Sequence, residues 1–222
     1  MKFGTGYTGD VTVGGPPDTR ELPDLTITKV AVGPMDNNCY LLRCVATGEQ
    51  LLIDAANEPD TLLRLIGDDG LETVVTTHRH PDHVQALDTV VAATGATTVA
   101  HPDDAPAIPV PTSVLVSDGD EIRVGEVTLK VLHLVGHTPG SIALLYDADP
   151  DAPHLFTGDC LFPGGPGNTF GDAKAFETLM NDLETKVFGP LPDATWIYPG
   201  HGKDTTLGRE RPHLAEWRAR GW

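Results

Sequence analysis

The chain has 222 residues, 40% of them hydrophobic and 21% charged, which is enough apolar material to bury a core. Its 15 Lys plus Arg stand against 32 Asp plus Glu, a formal net charge of −17. Nucleic acids and anionic membrane surfaces both demand basic residues, so the balance disfavours them as partners. No stretch nears the length of a membrane span, and Met1-Lys2-Phe3-Gly4-Thr5-Gly6 carries no apolar signal core. Cys39, Cys44 and Cys160 show no metal-type pairing or disulfide framework, so the reducing cytoplasm is the expected setting.

Residues 1–24, rich in Gly, Thr, Pro and Asp, read as an irregular arm, and residues 25–222 as a single domain. β-type runs follow at 25–32, 39–44 and 51–54. A helix over 58–66 precedes a strongly β run at 73–77. Residues 84–93 have helical spacing with Gly95 as the stop, and 98–100 read as a short strand. The Pro-rich stretch 102–111 is the one internal punctuation that looks like a boundary. Beyond it the pattern partly repeats, with strands at 114–116, 121–124, 127–134, 141–146 and 154–157. A helix over 173–187, a strand at 195–198 and a helical tail over 212–220 complete the chain. Two blocks of strands followed by helix suggest two similar α+β halves sharing a sheet-on-sheet core. Trp196, Trp217 and Trp222 read as packing anchors, since no basic stripe accompanies them.

The run His78-Arg79-His80-Pro81-Asp82-His83 leaves the strand at 73–77. His78 and His80, two apart in extended backbone, share a face and can grip one ion. Asp82 and His83 lie where the chain turns toward the next helix and could serve a second. Neutral imidazole and carboxylate suit borderline divalent metals. Three more candidates close apolar β runs: His137 in Leu134-Val135-Gly136-His137, Asp159 in Phe156-Thr157-Gly158-Asp159, and His201 in Tyr198-Pro199-Gly200-His201. Flanking glycines let the backbone come close to an ion. The seven residues suit two ions with three terminal ligands each and one bridging carboxylate.

His-x-His-x-Asp-His followed by isolated His, Asp and His resembles the signature of the metallo-β-lactamase superfamily. Within it the chain looks most like the glyoxalase II-like (hydroxyacylglutathione hydrolase-like) metallo-hydrolases, over about residues 25–208. The resemblance implies an α+β fold, a four-layer αββα sandwich of two similar halves with metals between the sheet edges. It implies that His78, His80 and His137 bind a first metal, that Asp82, His83 and His201 bind a second, and that Asp159 bridges them. The implied cofactors are two divalent ions, zinc first, with iron or manganese as alternatives.

Such a pair of ions would supply hydroxide at neutral pH to attack a small carbonyl substrate. Asp82 would be the catalytic residue that accepts the nucleophile's hydrogen bond and its proton. The implied substrate is a thioester of the glyoxalase II kind, or a lactone or other ester. Two departures count against glutathione thioesters: only 20 residues follow Gly202, and Asn168 stands where the resemblance implies a cation. A second branch, the mononuclear iron persulfide dioxygenases, would use His78, His137 and Asp159 as a two-His-one-carboxylate triad.

Asp54, ending the run 51–54, is the best candidate for fixing an imidazole ligand from behind, with Thr77 next; a plain turn cap is the alternative for Asp54. The loops 35–38 and 163–170 are expected to border a small-molecule substrate. His101, His133, His154 and His213 fit no ligand position, and Cys160 reads as structural.

Overall fold

A computed structural model of the chain describes residues 6–221. The first five residues of the arm, and Trp222, lie outside the described residues.

Seven strands form the first sheet in sequence order: β1 Asp18–Glu21, β2 Leu25–Val32, β3 Asn37–Cys44, β4 Gln50–Ile53, β5 Thr73–Val75, β6 Thr97–Ala100 and β7 Val114–Leu115. The pairs from β1 to β4 are antiparallel, and those from β4 to β7 are parallel. Parallel neighbours need a crossover, and two of these carry α1 Pro59–Ile66 and α2 Leu87–Thr94.

The second sheet is built from β8 Glu121–Val124, β9 Val127–His133, β10 Ile142–Tyr146 and β11 His154–Gly158. A small hairpin, β12 Leu161–Phe162 with β13 Gly165–Pro166, then leads to α3 Ala173–Asp182. The Asp172 carboxylate caps α3 by accepting from the Lys174 and Ala175 amides, and the helix runs on as a π-helical turn, Leu183–Phe188. β14 Trp196–Pro199 pairs parallel to β11, β15 Thr205–Thr206 pairs antiparallel to β14, and α4 Leu207–Glu210 and α5 Leu214–Arg220 close the fold.

Side-chain alternation makes four layers of these elements. On the inner faces Leu25, Ile27, Tyr40, Leu42, Leu51 and Ile53 of the first sheet meet Leu129, Val131, Ile142, Leu144, Phe156 and Tyr198 of the second. The alternate residues of the first sheet, among them Val30, Leu41 and Leu52, pack under Leu62 and Ile66 of α1 and Val90 of α2. Those of the second, among them Ala143, Leu145, Leu155 and Ile197, pack under Phe176 and Leu179 of α3 and Trp217 of α5. The architecture is therefore the expected α+β four-layer αββα sandwich.

Four expectations change. Residues 18–21 of the arm read as irregular form β1, an edge strand whose outer side chains are exposed and so need no apolar alternation. The Pro-rich stretch is not the seam between halves, because β7 follows it and pairs with β6 in the first sheet. The second helix starts at Leu87: the Gln85 and Ala86 amides bond to the carbonyls of Ala56 and Ala55, which holds residues 84–86 out of the helix. The C-terminal helix expected over 212–220 starts at Leu214, after the 3₁₀ turn Arg211–His213, where Pro212 has no amide hydrogen to donate.

Candidate metal centre

Strand ends of both sheets meet at one edge of the sandwich. β5 stops at Val75, yet the Thr76 amide still bonds to the Val99 carbonyl, and the Ile142 amide bonds across to the Thr77 carbonyl. The chain leaves this seam as His78-Arg79-His80 and folds into the 3₁₀ turn Pro81–His83, where the His83 amide donates to the His80 carbonyl. From the second sheet come the turn bearing His137, the end of β11 bearing Asp159, and the end of β14 bearing His201. The last is drawn in by Asn38, whose amide bonds to the Gly200 carbonyl at 2.7 Å. Gly200 is required there, because a Cβ would run into the Asp159 carboxylate.

All seven expected ligands converge. One ligand atom each from His78, His80 and His137 lies within 4.8 Å of the others, and the same holds for His78, His83 and Asp159 and for Asp82, His83 and His201. Asp159 sits between the sets: Oδ2 is 3.5 Å from His137 Nε2 and 3.4 Å from His201 Nε2, and Oδ1 is 3.4 Å from His83 Nε2. Asp82 Oδ2 lies 3.5 Å from His83 Nε2 and 3.4 Å from His201 Nε2.

Hydrogen bonds behind the rings assign their tautomers. His83 Nδ1 donates to Asp54 Oδ2 at 2.8 Å, His137 Nδ1 to the Asn168 carbonyl at 2.8 Å, and His201 Nδ1 to the Met35 carbonyl at 2.8 Å. Asp54 also accepts from the Thr77 amide and hydroxyl. That hydroxyl, its proton given to Asp54, accepts from His78 Nδ1 at 3.0 Å. In each of these four histidines Nε2 is therefore the nitrogen that faces the centre. Asp54 holds a left-handed backbone at φ +58°, so it ends its strand and fixes His83 and Thr77 at once.

Burial pushes His78 well below the ordinary imidazole pKa and also lowers His80 and His137, which keeps that trio neutral and ready to donate. On the other side burial works against charge on His83, but Asp54 and Asp159 outweigh it and raise its pKa to about 10, so that an ion bound at Nε2 would displace a proton. Asp159 is held well below the carboxylate range: burial opposes ionisation, and the adjacent His201 and His83 rings overcome it.

His78 Nε2, His137 Nε2 and Asp159 Oδ1 are buried without a hydrogen-bond partner. Buried polar atoms are normally satisfied, and lone pairs left open toward a shared point are what metal ligation needs. The donor set of five imidazoles and two carboxylates fits divalent ions of the zinc and iron class.

Two loops form the rim. Met35 is 59% exposed and Phe170 is 69% exposed, and the Phe170 ring lies 5.7 Å from His80 and 5.9 Å from His137. Phe162 lies 6.2 Å from the His201 ring. Two residues support the ligands in ways the sequence did not announce. Asn37 donates to Asp82 Oδ2 at 2.8 Å. Asp104, fully buried, accepts from the Arg79 amide, the Thr138 hydroxyl and the Gly140 amide, tying the His78–His83 loop to the His137 turn.

His101 and His133, expected to be unrelated to metal, come together beside Asp103. Their rings stack at 3.8 Å with 24° between planes, so the in-plane lone pairs run side by side rather than converging. His133 Nε2 donates to the Pro139 carbonyl, and His101 Nδ1 accepts from the Asp103 amide. His154 is engaged by the Tyr198 hydroxyl and His213 by Glu216. Cys160 is buried, and burial pushes its thiol up, away from a reactive thiolate.

Fold and site together define a two-sheet protein with a His/Asp metal cradle at the sheet edges. The chain belongs to the metallo-beta-lactamase superfamily, which residues 32–201 match. It is 32% identical to an uncharacterized protein of Aquifex aeolicus, over 84% of this chain and 94% of that one. It is 39% identical to a hydroxyacylglutathione hydrolase of Polaromonas sp. over 73% of this chain, and it spans 60% of that protein's length. Among solved structures, ETHE1 from Myxococcus xanthus superposes with a TM-score of 0.76 at 31% identity, covering 87% of this chain and 84% of that one. TTHA1623 in a di-iron-bound form gives 0.69 at 32% identity, covering 82% and 96%.

Proposed function

We propose that the protein is a two-metal hydrolase of a small carbonyl substrate, a thioester first and a lactone or other ester next. The observation that carries this reading is the convergence of both ligand sets on Asp159, with buried Nε2 and Oδ1 atoms open toward one space. His78, His80 and His137 would hold one ion, Asp82, His83 and His201 the other, and Asp159 would lie between them. Ions bound there would lower the pKa of a water toward neutrality and polarise the substrate carbonyl.

The chain's own residues do the rest. Asn37 fixes one oxygen of Asp82, and the Asp82 carboxylate, partly exposed at the mouth of the site, would accept the hydrogen bond of the attacking water and take its proton. As the carbon–oxygen bond forms the carbon–sulfur bond breaks, the departing sulfur takes up the proton held by Asp82, and the products are a carboxylic acid and a thiol. Met35, Phe162 and Phe170 offer apolar surface for the acyl group. The acidic balance of the chain supports a small-molecule substrate rather than nucleic acid or membrane.

A second reading has its own support. Of the five buried side-chain atoms without partners among the described residues, three belong to His78, His137 and Asp159, the triad a single-iron persulfide dioxygenase would use. Elemental analysis of the purified protein separates the two. About two ions per chain with thioester or lactone turnover supports the hydrolase. One iron per chain, with oxygen uptake on addition of a persulfide, refutes it in favour of the dioxygenase.

A further inference from the structure

Lys29 is the one charged residue of β2 on the face that carries Leu25 and Ile27 toward the second sheet. Its side chain is 0% exposed. The ammonium donates to Asp204 Oδ1 at 2.6 Å, to the Gly202 carbonyl at 2.7 Å and to the Gly9 carbonyl at 2.8 Å. An ammonium has three protons to give, and all three are used.

Each acceptor leads somewhere. Gly202 follows His201, and its carbonyl also accepts from Asn38 Nδ2. Asp204 ends the same loop, and its Oδ2 accepts from the Tyr7 hydroxyl and the Trp196 indole. Gly9 belongs to the N-terminal arm; a Cβ there would collide with the Asp204 side chain, so only glycine permits the approach. The arm is itself held: Asp18 accepts from the Thr8 and Gly9 amides, and Arg20 lies over the Trp196 ring at 3.9 Å and the Tyr7 ring at 4.5 Å.

A buried ion pair is a costly way to gain stability, since desolvation offsets most of the attraction. A fully bonded one does fix geometry. We propose that Lys29 is a positioning residue for the second-ion side: with Asp204 and the arm it pins the Gly202 carbonyl and thereby sets the His201 imidazole against Asp82 and Asp159. The inference rests on the two-ion reading above.

The test is a cobalt(II) titration of the full-length, chelator-stripped protein, followed by visible absorption. In Lys29→Met the first equivalent binds as in the wild type. The second binds about 10- to 100-fold more weakly, the range found when a residue supporting a metal ligand is lost, and its absorption band shifts. A merely structural lysine would lower the melting temperature and leave the two ions equally tight or equally weakened; that outcome overturns the proposal. If Lys29→Met does not fold, Lys29→Met/Asp204→Asn removes both buried charges together. A weakened second ion in that protein supports the proposal, and wild-type affinity overturns it. Wild-type protein that takes up a single equivalent refutes the two-ion reading itself, before any variant is made.

Discussion

Asp54→Asn tests the hydrogen-bond logic of the site most directly. Asp54 Oδ2 accepts from His83 Nδ1 at 2.8 Å and from the Thr77 hydroxyl at 2.7 Å, and Oδ1 accepts from the Thr77 amide at 2.8 Å. Asparagine tolerates the left-handed backbone at this position, so the change acts on the side chain alone. It replaces one acceptor oxygen with a donor. If the amide nitrogen faces the Thr77 amide, that buried N–H loses its partner, at about 1–3 kcal/mol. If it faces His83, the ring must accept at Nδ1, and its remaining proton moves to Nε2, which then points at the ion site. Either arrangement damages the Asp82/His83/His201 side. The expected loss is about 10- to 100-fold in affinity for the second ion, or about 1.4–2.8 kcal/mol at 1.4 kcal/mol per tenfold. Competition against a chelator measures the affinity, and urea unfolding of the metal-free protein measures the fold. A variant that unfolds like the wild type and holds two ions as tightly would refute the tautomer argument.

Asp159→Ala removes the carboxylate common to both sets; bound metal should drop below one ion per chain and turnover should vanish, and full metal content with normal turnover would remove Asp159 from its bridging place. His101→Ala takes away a stacked ring but no converging lone pair, so ions per chain should be unchanged by elemental analysis, and loss of an ion would overturn the ligand set. His154 opens β11 with its ring against the Tyr198 hydroxyl, and burial, helped by the charge of Arg20, lowers its pKa from 6.5 to about 4. The fold therefore favours the neutral ring: its contribution is whole above pH 6.5 and is lost as the unfolded chain takes up a proton between pH 6.5 and 4, about 3 kcal/mol in all. Urea midpoints at pH 7 and 5 should fall more steeply for the wild type than for His154→Phe, and equal slopes would rule His154 out as the source.

Regular alternation made most strands legible, because a strand buried on one face must repeat every second residue. β1 and the β12–β13 hairpin escaped for the opposite reason. β1 reads Asp-Thr-Arg-Glu with no apolar face to see, and β12 and β13 lie among the glycines and prolines of 161–167. The start of α2 was hidden because the partners of residues 85 and 86 are carbonyls some 30 positions back in the chain. In the site, His78–His83 announced itself by crowding ligand types into six residues, whereas Asp104 is an unremarked carboxylate in a loop whose burial only the assembled fold creates. Lys29 is an intermediate case. Its parity with Leu25 and Ile27 marks it as an inward-facing charge, but its partner Asp204 lies 175 residues away.

Each proposed ligand set draws on both sheets: His78 and His80 with His137, and Asp82 and His83 with His201. Neither half of the chain could hold an ion alone, so the seam between sheets has to be fixed before the ligands can converge. Carboxylates and backbone groups behind the rings do this fixing. Asp54 and Asp104 each join two loops, and the rim loops reach His201 and His137 through the carbonyls of Met35 and Asn168. A carbonyl is present whatever the side chain, so residues 35 and 168 can change without disturbing the imidazoles they orient. That separation explains how Asn168 can stand where the resemblance implies a cation while the cradle for metal is complete. The rim side chains are free to set which acyl or leaving group is accepted, and the backbone beneath them is committed to the ions.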